Sequence, residues 1–179
     1  MKKTDTLITF AIIAAILGGL YYWTTSGTNH DWQEEVKLSD GRTIVADQKR
    51  HFEGRTMREA TVSFTIPEIS AKPIEWHEPL IPLVVNINEG KLYLVAYPLT
   101  KEQYAIQGKP SRGYLCYQWV NGAWKKIPFE EVPSAIYQSN MLIWPYPSNE
   151  SHVLTLAEKN GRDYNGSARV QAELKRLKP

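Results

Sequence analysis

From Gly113 to Pro128 the chain reads GYLCYQWVNGAWKKIP, and the Asn121-Gly122 pair at its centre leaves little choice of local structure. A two-residue type I′ turn needs positive φ at both central positions, which Asn and Gly tolerate better than other residues, so an Asn-Gly pair between aromatic and β-branched flanks predicts a tight hairpin. With a two-residue loop, Trp119 faces Trp124 and Tyr117 faces Lys126 on one side of the ribbon. Cys116 then faces Ile127 on the other. Cross-strand aromatic pairs of this kind contribute about 0.2–1 kcal/mol each. The rings of Tyr117, Trp119 and Trp124, with Trp76 from elsewhere in the chain, therefore have two readings. They hold a sheet together, or they form an aromatic binding surface for a ligand.

The same device recurs twice. Asp40-Gly41 separates a stretch in which Val36 and Leu38 alternate with Glu35 and Lys37 from the returning Thr43 to Ala46. A two-residue loop there would place Val45 or Ile44 opposite Val36 differently from a three-residue loop with a bulge, and the sequence leaves both open. Asn88-Glu89-Gly90 turns the chain between Leu83–Ile87 and Lys91–Tyr97, which are apolar at nearly every position and are expected to be a central pair. EATVSFTIP alternates cleanly, with Ala60, Val62, Phe64 and Ile66 on one face and Thr61, Ser63 and Thr65 on the other. The proline-rich stretch from Pro67 to Pro82 reads as a crossing. The predicted fold is mainly β, antiparallel hairpins forming a sheet or small sandwich, with an N-terminal transmembrane helix and short C-terminal helices.

That transmembrane helix is read from Leu7 to Trp23, 17 residues without a charge. At about 1.5 Å per residue the run reaches roughly 26 Å, a little short of a hydrocarbon core of about 30 Å, a difference that flanking anchors or a thinned bilayer absorb. Lys2 and Lys3 precede it, and the positive-inside bias keeps them in the cytoplasm and sends the chain beyond Trp23 across the membrane. Tyr21, Tyr22 and Trp23 close the run as an interfacial belt. The alternative is a cleaved secretory signal, for which Thr25-Ser26-Gly27 offers a weak site. No cysteine stands just after the run to accept a lipid. The expected location is the inner membrane, single pass, with the C-terminal domain in the periplasm, or secretion after cleavage.

At 179 residues, 42% apolar and 22% charged, the chain suits one globular domain with appendages. The expected organisation is a cytoplasmic tip and anchor over 1–23, a flexible tether over 24–31, an antiparallel β domain over 32–133, and a covering loop with C-terminal helices over 134–179. Within the last part, Tyr137 to Val153 reads as covering loop and Thr155 to Glu158 has capping-box spacing. From Ser167 to Lys178, Val170, Leu174 and Leu177 recur at helical spacing.

The succession W-x-E-x-V-x-L-x-DGR-x-I from Trp32, GKLYLVAYP from Gly90, and GKP-SRGYLCYQW-x-NG-x-WKKIPFEEVP up to Pro133 resembles a set of uncharacterised exported proteins of proteobacteria. The resemblance implies an exported or membrane-anchored β domain and no activity. Its members often carry a lipid-accepting cysteine that this chain lacks, and a bare transmembrane anchor would stand in its place.

Signals for chemistry are few. A formal charge of +2 with scattered Lys and Arg excludes the basic field that nucleic-acid binding draws on. Cys116 is the single cysteine, so no intrachain disulfide forms, and its mid-strand position points to core. The histidines His30, His51, His77 and His152 stand in no metal-ligand spacing. His77 and Glu78 are adjacent on an extended segment and therefore point to opposite sides. No catalytic, metal or cofactor residues are assigned and no cofactor is expected. The functional expectation is a non-enzymatic, membrane-tethered interaction domain whose partners are membrane lipid, through the N-terminal helix, and an envelope protein. The alternative is a glycan or cell-wall-binding module working through its aromatics.

Overall fold

The computed structural model describes residues 13, 27–54, 56–143, 146 and 152–161. Among the described residues nine strands form two sheets. The first five-stranded sheet comprises β1 (Gly27–Lys37), β2 (Thr43–Glu53), β3 (Thr56–Phe64), β4 (Ile74–Glu78) and β9 (Val153–Leu154), ordered β4-β3-β2-β1-β9. The second comprises β5 (Ile81–Asn88), β6 (Lys91–Tyr97), β7 (Leu115–Val120) and β8 (Ala123–Ile127), in chain order. All pairings are antiparallel except β1 with β9, which run parallel over two residue pairs. One core joins the two sheets, from Val36, Ala46, Val62 and Phe64 to Leu83, Val85, Leu94 and Cys116.

Local chemistry accounts for the turns. Val120 pairs with Ala123 around Asn121 (φ 53°) and Gly122 (φ 83°), so the two-residue turn and the Trp119–Trp124, Tyr117–Lys126 and Cys116–Ile127 pairs form as the sequence predicts. Asn88 pairs with Lys91 around Glu89 and Gly90 in the same way. At the first hairpin Val36 faces Ile44. Leu38 N–H donates to the Arg42 carbonyl at 2.8 Å and Gly41 N–H to the Leu38 carbonyl at 3.1 Å, closing a three-residue loop with Gly41 at φ 91°. The alternation of β3 holds too: Ala60, Val62, Phe64 and Ile66 are all buried.

Several expectations are corrected. Gly27 to Asp31, read as tether, belongs to β1, because an unbroken ladder to Lys49–Glu53 of β2 outweighs the weak strand propensity of these small polar residues. The crossing from Pro67 to Pro82 contains β4, whose Ile74 and Trp76 enter the core. The β5–β6 hairpin is not central, for β5 is an edge strand, consistent with Pro82, which lacks an N–H, standing at a bulge. Its two-sided burial comes from segment 136–143, which lies over it. Asn140 N–H and Met141 N–H both donate to the Leu83 carbonyl, the Asn140 side-chain oxygen accepts from Val85 N–H at 3.1 Å, and its amide donates to the Val85 carbonyl at 2.7 Å. The same amide reaches the Lys37 carbonyl of β1 at 2.9 Å, so one asparagine binds a strand of each sheet.

A short helix not read from the sequence, α1 (Lys101–Ile106), starts at Thr100 with a capping box to Gln103. The T-x-x-Q spacing that marks it is present in the chain. The second helix, α2 (Leu156–Gly161), begins after Thr155, whose hydroxyl accepts from Glu158 N–H while Glu158 accepts from Thr155 N–H, the expected capping box. Among the described residues no helix is long and apolar enough to cross a membrane. Apart from Ile13, the Leu7 to Trp23 run lies outside them, and so does the Ser167 to Lys178 stretch.

Candidate functional site

The four aromatics singled out by sequence do not share one surface. Tyr117 and Trp76 are buried, 2% exposed each, and meet edge to face at 5.7 Å between centroids. Their strands place both on the core side, so neither ring offers a face to a ligand, and that half of the expected binding surface is corrected. Trp119 and Trp124 are half-buried, with centroids 5.3 Å apart and planes at 70°. Trp124 Nε1–H donates to the Glu75 carbonyl of β4 at 2.9 Å. An indole of β8, the free edge of the second sheet, thus ties down β4, the free edge of the first. Lys126 lies 3.8 Å from Glu78 along the same seam.

Trp76 Nε1 of β4, packed against this hairpin, is buried without a hydrogen-bond partner, and Tyr117 Oη is buried with the Glu78 carboxylate nearby. Burial, with that carboxylate, pushes the Tyr117 phenol well above its ordinary range, so it stays neutral. Burial also pushes the Cys116 thiol up to about 12. A thiol held so far above neutrality carries almost no thiolate.

A second, wholly buried constellation lies on the inner face of β1 and β2. Alternation puts Glu34 in line with Trp32 and Val36, and Gln48 and Arg50 in line with Ala46, so three polar side chains point inward. Glu34 accepts from Lys159 Nζ at 2.5 Å, from Gln48 Nε2 at 2.5 Å and from Leu142 N–H at 3.0 Å. Lys159, on α2, also donates to the carbonyls of Glu35 at 2.8 Å and Asn140 at 2.7 Å. Arg50 donates to the Leu142 carbonyl at 2.8 Å, and its guanidinium lies 4.9 Å from the ring centres of both Trp32 and Tyr146. The sequence signal for Glu34, Gln48 and Arg50 is their register with apolar neighbours. Lys159 carries none, because its partner is far away along the chain.

This cluster fastens the segment after Ser139 to the first sheet. Its carboxylate accepts from three donors and its ammonium donates to three acceptors, which suits a clamp. Arg50 Nε and Trp32 Nε1 are buried without partners, and the two flanking rings supply cation–π attraction instead.

The remaining titratable groups are dispersed. His77 pairs with Glu59 at 2.7 Å across the solvent face of the first sheet, and not with Glu78, which points to the Lys126 seam as alternation requires. His51 meets Asn29 at 2.7 Å, and His152 meets Glu158 at 2.9 Å. His30 lies among Phe52 and Tyr146, where burial and then the Arg50 charge push its pKa down. Among the described residues no group of three or more His, Cys, Asp or Glu is placed to hold a metal ion. A notch of about 350 Å³ lies beside Arg112, Phe129, Glu130 and Tyr137. No family model matches this chain, and neither a curated protein nor a solved structure does.

Proposed function

We propose that the protein is a membrane-tethered β domain outside the cytoplasm that works by binding a partner and not by catalysis. The observation that carries this reading is the uncharged run from Leu7 to Trp23 behind Lys2 and Lys3, directly ahead of a folded domain that begins at Gly27. The dispersal of the histidines and the inertness of Cys116 support the non-catalytic half. So does the use of charged side chains as internal clamps. The partner is an envelope component, with membrane lipid held through the N-terminal run.

The half-exposed faces of Trp119 and Trp124 favour one further reading, a glycan or cell-wall-binding module that uses this pair alone. Washing membranes with alkaline carbonate tests the first reading: the full chain should stay in the pellet, and protease added to spheroplasts should degrade the domain. A chain released into the supernatant with its N-terminal run removed would mean a secreted protein. Retention of the full chain on purified cell wall, lost in Trp119→Ala, would favour the glycan module.

A further inference from the structure

Three residues separate Trp23 from Gly27, the first residue of β1, so even a fully extended link holds that end of the domain within about 14 Å of the run's end. Gly27 pairs with Glu53, and Phe52 pairs with Met57. The Met57 carbonyl accepts from Gln103 Nε2 of α1 at 2.6 Å. This series of contacts places α1 at the end of the domain where the chain enters. The hairpin turn at Asp40 lies at the far end of the eleven-residue β1, about 33 Å away.

Helix α1 ends in Ile106, which is 82% exposed, against 41–47% for the other exposed large hydrophobic residues described. One exposed aliphatic side chain means little by itself. This one stands at the entry end, with Leu99 (41% exposed) before the helix and the exposed Lys101 and Lys109 on either side of it. Gly108 (φ 80°) and Lys109 (φ 53°) reverse the chain just beyond it. Glu102 is exposed at the same end, and Arg58 is neutralised by Glu53 at 2.7 Å.

We propose that this end of the sandwich rests on the bilayer that holds the Leu7 to Trp23 run, with Ile106 entering the headgroup region and Lys101 and Lys109 meeting anionic headgroups. The arrangement rests on the tethered reading and adds to it an orientation: the Asp40 turn and the β1–β2 hairpin tip point away from the membrane, toward a partner. An apolar tip between cations is the pattern by which interfacial segments hold a lipid surface, and the short link supplies a high local concentration of that surface.

The test uses the full chain in vesicles of phosphatidylcholine mixed with anionic phosphatidylglycerol. Ala105→Cys is labelled with an environment-sensitive fluorophore, and the buried Cys116 stays unlabelled. Thr43→Cys, near the far end, is the control. Spin-labelled lipid should quench the probe at 105 and iodide should quench the probe at 43. Adding Ile106→Ser, or Lys101→Gln with Lys109→Gln, should cut lipid quenching at 105 about twofold or more. If iodide quenches both probes alike while the chain resists an alkaline wash, the docking inference is overturned and the tether stands. If neither set of variants changes the quenching, Ile106 and the lysines are not the contact. A chain that the wash strips from the vesicles overturns the tether and this inference together.

Discussion

Replacing Lys159 by methionine removes one ammonium that makes three bonds at once, to the Glu34 carboxylate and the carbonyls of Glu35 and Asn140. Methionine keeps most of the volume and none of the donors. The Glu34 side chain is 0% exposed, so its charge is left with neutral donors alone, Gln48 Nε2 and Leu142 N–H, and two carbonyls lose a donor. Removing one partner of a buried pair costs about 3–5 kcal/mol, a large share of the roughly 5–15 kcal/mol that holds a domain folded. For a domain of this size each kcal/mol moves the melting temperature by about 2–4 °C, so Lys159→Met should melt roughly 6–20 °C lower. Adding Glu34→Gln should restore a clear part of the loss. The carboxylate is gone, the oxygen of the substituted amide still accepts from Leu142 N–H, and its NH₂ can reach a freed carbonyl. Tryptophan fluorescence during thermal unfolding of the full chain in detergent is the assay. The reasoning is refuted if Lys159→Met melts within a degree of the wild type, or if the double variant is less stable than Lys159→Met alone.

Gly122→Val should destabilise the domain by about 1–3 kcal/mol through backbone strain, because a Cβ there meets nothing within 4 Å and the φ of 83° is the whole difficulty. Asparagine at the same position should cost clearly less in the same melt. Trp124→Phe should lose about 1 kcal/mol with the Glu75 hydrogen bond, and Trp124→Ala more, as the contact with Trp119 goes too. A Trp124→Ala protein that melts like the wild type would show that the ring serves something other than the fold. Glu158 is held down at about 2, first by the Thr155 backbone N–H, then by the Thr155 hydroxyl and His152. Its folded pKa lies below the unfolded carboxylate range near about 4.3, so its contribution is present above that range and is lost as pH falls toward about 2. Glu158→Gln should therefore flatten the fall in melting temperature across that window relative to wild type.

What could be read from the chain beforehand was what neighbours in sequence decide. Turn chemistry at Gly41, Gly90 and Gly122 set the hairpins, and alternation set the buried face of β3. The edge position of β5 was hidden because its two-sided burial is supplied by segment 136–143, remote in sequence and irregular. The strand character of Gly27 to Asp31 was hidden because the partner strand creates it and the residues themselves do not favour it. Half the aromatic surface was misjudged for a related reason. Period two shows that Tyr117 and Trp119 share a face, but not that β4 covers Tyr117 with Trp76 and leaves Trp119 half open. The buried clamp was readable at Glu34 and Arg50, polar residues in apolar register, and unreadable at Lys159, whose partner is chosen only by the tertiary fold.

The reading of a domain carried outside the cytoplasm is tested most directly by the side of the membrane on which the domain lies. Alkaline phosphatase, which is active only after export, fused after Pro179 should give an active enzyme, and a reporter that works only in the cytoplasm should stay dark at the same position. The Lys2 and Lys3 charges ahead of the Leu7 to Trp23 run predict that pairing. A dark phosphatase with an active cytoplasmic reporter would contradict it.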